Sequence, residues 1–140
     1  MKIVLDTNVL VAAFITHGNC HELLEYCIVH HEVILSKFIL DELQDVLTRK
    51  FGFTQAEAQA ATRLVQTRTR LIEPRPLPVP VCRDSDDDTI LATARTAECV
   101  AIVTGDKAMT ALKHYAGVTI LTPSDFWAFE NEAATHAGGG

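Results

Sequence analysis

This 140-residue sequence predicts an α/β fold, a three-layer α/β/α sandwich around a central parallel sheet. Short apolar runs suited to buried strands alternate with helix-length segments whose apolar residues recur at helical spacing. Acidic residues also stand just past several of these runs, where the carboxyl ends of parallel strands open onto one shared crevice.

Ile3, Val4 and Leu5 form the first strand. Thr7 to about Ile15 reads as a short helix and Gly18 breaks it. His21 to about His30 follows as a second helix, with Leu23, Leu24, Cys27 and Ile28 on one side. Val33 to Leu35 make the next strand. Ser36 then caps a helix that carries Phe38, Ile39, Leu43, Val46 and Leu47 inward and ends near Gly52. Thr54 caps an alanine-rich helix to about Thr69, and a short strand lies around Leu71 and Ile72. In EPRPLPVPVC the closely spaced prolines preclude a helix and favour an extended connection. Ser85 or Asp84 caps a helix that turns Ile90, Leu91 and Ala94 inward. Val100–Val103 is a strand, Lys107 to about His114 a helix, Val118–Leu121 a strand, and Pro123 to about Glu132 a last helix. Residues 1–135 read as one domain. A tail at 136–140, ending in three glycines, is expected to be disordered.

Composition narrows the class. No apolar run is long enough to span a membrane, and the start MKIVLDTN lacks the regions of a signal peptide, so a cytoplasmic protein is expected. Cys20, Cys27, Cys82 and Cys99 form no CxxC pair and read as buried, reduced thiols. The net charge of −6 argues against holding nucleic acid by bulk positive charge. Arg49, Lys50, Arg63, Arg68, Arg70 and Arg75 nevertheless cluster mid-chain, either to track phosphates or as a solvated face. His17 and His21 have the spacing of metal ligands, but Gly18 interrupts the helix between them, and His30, His31, His114 and His136 read as surface residues.

The acids carry the chemistry. Asp6 follows a strand and opens DTN, and Asp106 follows VAIV in TGD, where Gly105 permits a tight turn and Thr104 brings a hydroxyl to the strand end. Each, taken alone, could be an ordinary helix cap. Glu42 sits at the edge of its helix's buried stripe, although an isolated helix glutamate is usually solvated. The run Asp84, Asp86, Asp87, Asp88 holds more acid than a helix start needs. Within it Asp87 continues the stripe of Ile90, Leu91 and Ala94; Asp84 and Asp88 flank that line as secondary candidates, and Asp86 should face solvent. Carboxylates crowded into one crevice repel each other and resist desolvation, so together they point to a hard divalent cation and to phosphoryl-transfer chemistry.

In these four segments the chain resembles the PIN-domain ribonucleases, in particular the branch with VapC-like toxins of toxin–antitoxin systems. LDTNVLVAAF looks like that family's first strand with its acid and Asn, SKFILDELQDVL its glutamate-bearing helix, DSDDDTILATA its acidic helix start and IVTGDKAM its closing TxD element. The resemblance spans nearly the whole chain, with the segments in the family's order. It implies a PIN-like, Rossmann-like fold and an endoribonuclease acting on single-stranded RNA with one or two Mg²⁺ or Mn²⁺ ions. Asp6, Glu42, Asp87 and Asp106 would hold the metal, Asn8 and Thr104 would support them, and Asp88 competes with Asp87 for the third position. It also implies a homodimer silenced by a partner antitoxin. Two other enzymatic or regulatory classes fit less well: a haloacid-dehalogenase-like phosphatase wants an acid where Asn8 stands, and a receiver-like domain wants paired acids at the first strand end. A catalytically silent binding module would not need the full acid set.

Overall fold

The computed structural model describes residues 1–138, with side chains through residue 133. Six strands form one sheet: β1 (Lys2–Leu5), β2 (Glu32–Leu35), β3 (Arg70–Leu71), β4 (Ala101–Val103), β5 (His114–Tyr115) and β6 (Val118–Leu121). Their order is β3-β2-β1-β4-β6-β5, and every pairing is parallel except β5 with β6. Helices flank it as the outer layers: α1 (Thr7–Ile15), α2 (Asn19–His30), α3 (Lys37–Phe51), α4 (Gln55–Arg68), α5 (Ser85–Thr96), α6 (Lys107–Thr110) and α7 (Pro123–Gly138).

The chain first runs outward from β1 through β2 to β3, then returns to β4 on the other side of β1. That reversal places a topological switch point between β1 and β4, whose carboxyl ends open into a crevice. Asp6 follows β1 and Thr104 to Asp106 follow β4, so sequence-distant residues meet there. Ile3, Val4 and Leu5 of β1 and Ala101, Ile102 and Val103 of β4 are fully buried, which makes the crevice floor rigid.

Local chemistry fixes the surrounding helices. Ser36 accepts from the Ile39 amide to start α3, and Gly52 ends it at φ 71°, where a side chain would be strained. Thr54 and Glu57 form a capping box on α4. Asp84, rather than Ser85, caps α5.

Several expectations need correction. The helix expected from Lys107 to His114 stops at Thr110, because Lys113 takes φ 63° and His114 and Tyr115 turn back as β5. Tyr115 pairs with Val118 across a two-residue turn in which Ala116 and Gly117 both have positive φ, the geometry that suits a tight hairpin. The last helix continues past Glu132 to Gly138. Of the tail expected to be disordered, 136–138 are assigned to that helix and 139–140 lie outside the described residues. His31 is not a surface residue: its side chain is 7% exposed and its Nε2 lies 2.9 Å from Glu130 Oε2, itself 12% exposed. The side chain of His136 lies outside the described residues. Cys27 and Cys99 are buried free thiols, whereas Cys20 and Cys82 are only half-buried. Among the described residues no helix is long and apolar enough to cross a membrane.

Candidate active site

A cleft of about 450 Å³ opens over the switch point. Its lining includes Asp6, Asn8, Glu42, Asp84, Asp86, Asp87 and Asp106.

Asp6 is the most enclosed of the acids, at 6% exposure. It caps α1 through Oδ1, which accepts from the Thr7 amide at 2.7 Å. Its Oδ2 accepts from the Thr104 hydroxyl at 2.7 Å and from Asn8 Nδ2 at 3.2 Å. Burial raises its pKa, the Thr104 and Thr7 hydrogen bonds oppose that rise, and the charge of Asp106 adds to it. Asn8 ties the two strand ends together, since its Oδ1 accepts from the Gly105 amide at 2.9 Å. Thr104 is fully buried, and its Oγ1 accepts from the Asp106 amide at 3.0 Å while donating to Asp6. Asp106 caps α6 through Oδ1, toward the amides of Ala108 and Met109, which leaves Oδ2 for the cleft.

Glu42 reaches the same space from α3. Burial raises its pKa, and the charges of Asp6, Asp86 and Asp84 add to the rise. The Thr7 hydroxyl opposes it from a buried position in which it makes no hydrogen bond of good geometry. Asp87 is pushed up to about 6, first by burial and then by Asp106, Asp84, Asp6 and Asp86. Every resolved shift at the cleft acids is therefore upward, first because burial disfavours the charged form and then because neighbouring carboxylates repel it.

Helix geometry separates the acids of the run. Asp88 turns away from the cleft, and its carboxylate accepts from the Cys82 amide at 2.7 Å and from the Val81 amide at 3.2 and 3.3 Å. It anchors the proline-rich loop to α5 and does not line the cleft. Asp86, expected in solvent, is exposed yet lines the cleft and acts electrostatically on both Glu42 and Asp87. The missed signal was its spacing, four residues before cleft-lining Ile90. Lys50 and Phe51 also line the cleft; the sequence marks Lys50 only as part of a basic stretch and gives Phe51 no distinguishing signal. Lys37 pairs with Asp41 on the surface.

His17 lies in the α1–α2 connection and His21 in α2, with ring centroids 5.3 Å apart, and His21 is turned to Glu25 and the Ala13 carbonyl. Among the described residues no three His, Cys, Asp or Glu side chains are grouped so that together they could hold a metal ion. The cleft acids thus share a space without converging on one point. Such a set of hard oxygen donors suits Mg²⁺ or Mn²⁺, because Mg²⁺ is commonly held by one or two carboxylates and retains several waters.

A family profile described as PIN domain matches residues 2–108. No curated protein is significantly similar in sequence. Among solved structures, VapBC2 from Rickettsia felis, crystallised with a DNA fragment from its promoter, superposes with a TM-score of 0.64 at 16% identity, covering 87% of this chain and 98% of that one. VapC20 from Mycobacterium tuberculosis, described as a toxin that cleaves the sarcin–ricin loop, gives 0.60 at 18% identity over 84% and 98% of the two chains. FitAcB from Neisseria gonorrhoeae gives 0.56 at 19% identity over 87% and 98%. At these identities the likeness is one of fold.

Proposed function

The chain belongs to the PIN-domain family, and we propose that it is a Mg²⁺- or Mn²⁺-dependent endoribonuclease of single-stranded RNA, the toxin of a toxin–antitoxin pair. The observation that carries this reading is the gathering of Asp6, Glu42, Asp87 and Asp106 in one cleft at the switch point. Similarity of fold to VapC20, described as a toxin that cleaves the sarcin–ricin loop, supports the same class of chemistry. An antitoxin partner and a homodimer belong to the proposal through the family resemblance.

Asp6, Glu42, Asp87 and Asp106 would hold one or two ions, with Asp84 and Asp86 on the open side. A bound divalent cation supplies water activation and charge neutralisation at the scissile phosphate. The chain's own part is orientation. Thr104 and Asn8 fix Asp6, Asn8 clamps the Gly105 turn, and the α6 cap fixes one oxygen of Asp106. Asp87, with its carboxyl pushed up to about 6 in the metal-free chain, must be without its proton to take a cation, so metal affinity should fall as pH drops through that region. Products with 5′-phosphate and 3′-hydroxyl ends are expected. The phosphatase alternative loses ground because Asn8, where a second acid would stand, is committed to Asp6 and Gly105.

The test incubates the purified chain and Asp6→Asn with unstructured RNA, structured RNA, single-stranded DNA and a phosphomonoester, in Mg²⁺, Mn²⁺ or chelator. Unstructured RNA should be cut by the wild type only with metal, and Asp6→Asn should lose that activity by orders of magnitude. Full activity in Asp6→Asn, or hydrolysis of the monoester alone, would overturn the assignment.

A further inference from the structure

Part of the cleft is not acidic. Val11, Ala12 and Ile15 of α1 and Val46 of α3 extend it as an aliphatic wall that ends at Lys50 and Phe51. Along α3 the lining residues Glu42, Val46 and Lys50 recur every fourth position, so they stack on one helix face. That face runs about 12 Å from the acid cluster to the far end of the cleft.

Phe51 is 45% exposed and contributes nothing to the hydrophobic core. It is the last residue of α3, and the left-handed Gly52 carries the chain away behind it. Lys50 is the one cation among the lining residues, and among the described residues no acid pairs with it. Its neighbour Arg49 is held by Asp45. An exposed aromatic ring and an unpaired ammonium lining the same end of the cleft match one nucleotide, the ring offering a stacking face to a base and the ammonium a contact to phosphate.

We propose that Phe51 and Lys50 form a subsite for an unpaired nucleotide flanking the scissile phosphate, Phe51 stacking on its base and Lys50 anchoring a neighbouring phosphate. The inference rests on the nuclease reading and gives it a physical basis for choosing single strands. A base paired and stacked within a duplex cannot offer its face to Phe51, whereas a splayed base can.

The experiment measures kcat and KM with Mn²⁺ on an unstructured RNA oligonucleotide holding one cleavage site, and on copies in which each nucleotide near that site is made abasic in turn. Wild type, Phe51→Ala, Phe51→Tyr and Lys50→Gln are compared. Wild type should lose about 5- to 150-fold in kcat/KM at one abasic position, the range expected for one base–aromatic stack. Phe51→Ala should show a similar loss on intact RNA and no further loss on that abasic copy, while Phe51→Tyr keeps the wild-type pattern. Lys50→Gln should raise KM and reduce its salt dependence by a log–log slope of about 0.7. Losses that multiply in Phe51→Ala, or abasic copies cut as well as intact RNA, overturn the subsite and leave the nuclease reading standing. So does unchanged cleavage by Phe51→Ala together with escape from a co-expressed inhibitory protein, since the wall then seats a polypeptide. No cleavage of any RNA by wild type would defeat both.

Discussion

In chelator the cleft carboxylates should work against the fold, and Asp87→Asn measures by how much. Burial, followed by the charges of Asp106, Asp84, Asp6 and Asp86, carries the Asp87 carboxyl from 3.8 up to about 6. A carboxyl with a higher pKa in the folded than in the unfolded chain binds its proton more readily when folded. Its contribution is therefore neutral below the unfolded value and grows more unfavourable as pH rises through the folded one. The full shift corresponds to about 3 kcal/mol, and solvent screening of a half-buried carboxyl leaves about 1 kcal/mol. At about pH 7.5, removing the charge should raise the metal-free melting temperature by about 3 °C, and the gain should disappear by about pH 4. Thermal unfolding of both proteins across this pH range, in chelator and then in a Mg²⁺ titration, makes the comparison. Wild type should gain stability with metal in proportion to occupancy, and Asp87→Asn should gain less. The difference between the two proteins is the quantity to follow, because other groups titrate in the same window. An Asp87→Asn protein less stable than wild type in chelator at about pH 7.5 would show that the carboxylate is favourably placed and that the cluster has no need of a cation.

Asp88→Asn should behave in the opposite way to its neighbour: it weakens the charged anchor for the Val81 and Cys82 amides, so stability should fall by about 1.5 kcal/mol while the metal response of the melting temperature is kept. A flattened metal response in Asp88→Asn would reinstate it as a ligand. His31 is held below its usual pKa chiefly by burial, against the pull of Glu130, so the unfolded chain takes up that proton first and stability should fall as pH drops through about 6.5. In His31→Gln this acid loss should shrink; an unchanged acid limb, followed by denaturant unfolding, would place the sensitivity elsewhere.

What the sequence made legible was whatever depends on short-range pattern. Asp6 and Asp106 announced themselves by standing at strand ends, and Glu42 by its place on an amphipathic helix. The order of four adjacent acids was harder. Successive residues on a helix differ by about 100° in direction, so Asp86, Asp87 and Asp88 inevitably diverge, but which of them meet the cleft depends on how the proline-rich loop packs against α5, and that loop has no periodicity to read. Asp88 went to the loop for this reason. The His31–Glu130 pair joins residues 99 positions apart and left no local trace. The β5 hairpin did leave one, since Ala116–Gly117 sits between two short β-compatible runs, but apolar residues at helical spacing in the same stretch masked it.

Capping and metal binding at the strand ends are compatible roles. An ionised carboxylate offers about four acceptor sites. Asp106 directs its cap through Oδ1 alone, and the three hydrogen bonds to Asp6 leave acceptor capacity on an oxygen whose direction they fix. A cap immobilises one side of the carboxylate against a helix that is itself rooted in a fully buried strand, so the remaining lone pairs point into the cleft without further ordering. The cost of that arrangement appears as the raised pKa of Asp6, and it is smaller than burial alone would impose because Thr104 and the Thr7 amide stabilise the charged form. Thr104 thus couples two ligand candidates: it donates to Asp6 and accepts from the Asp106 amide, so the strand ends of β1 and β4 cannot shift independently. The same hydrogen bonds that make Asp6 and Asp106 look like ordinary structural residues are what would hold a cation site in register.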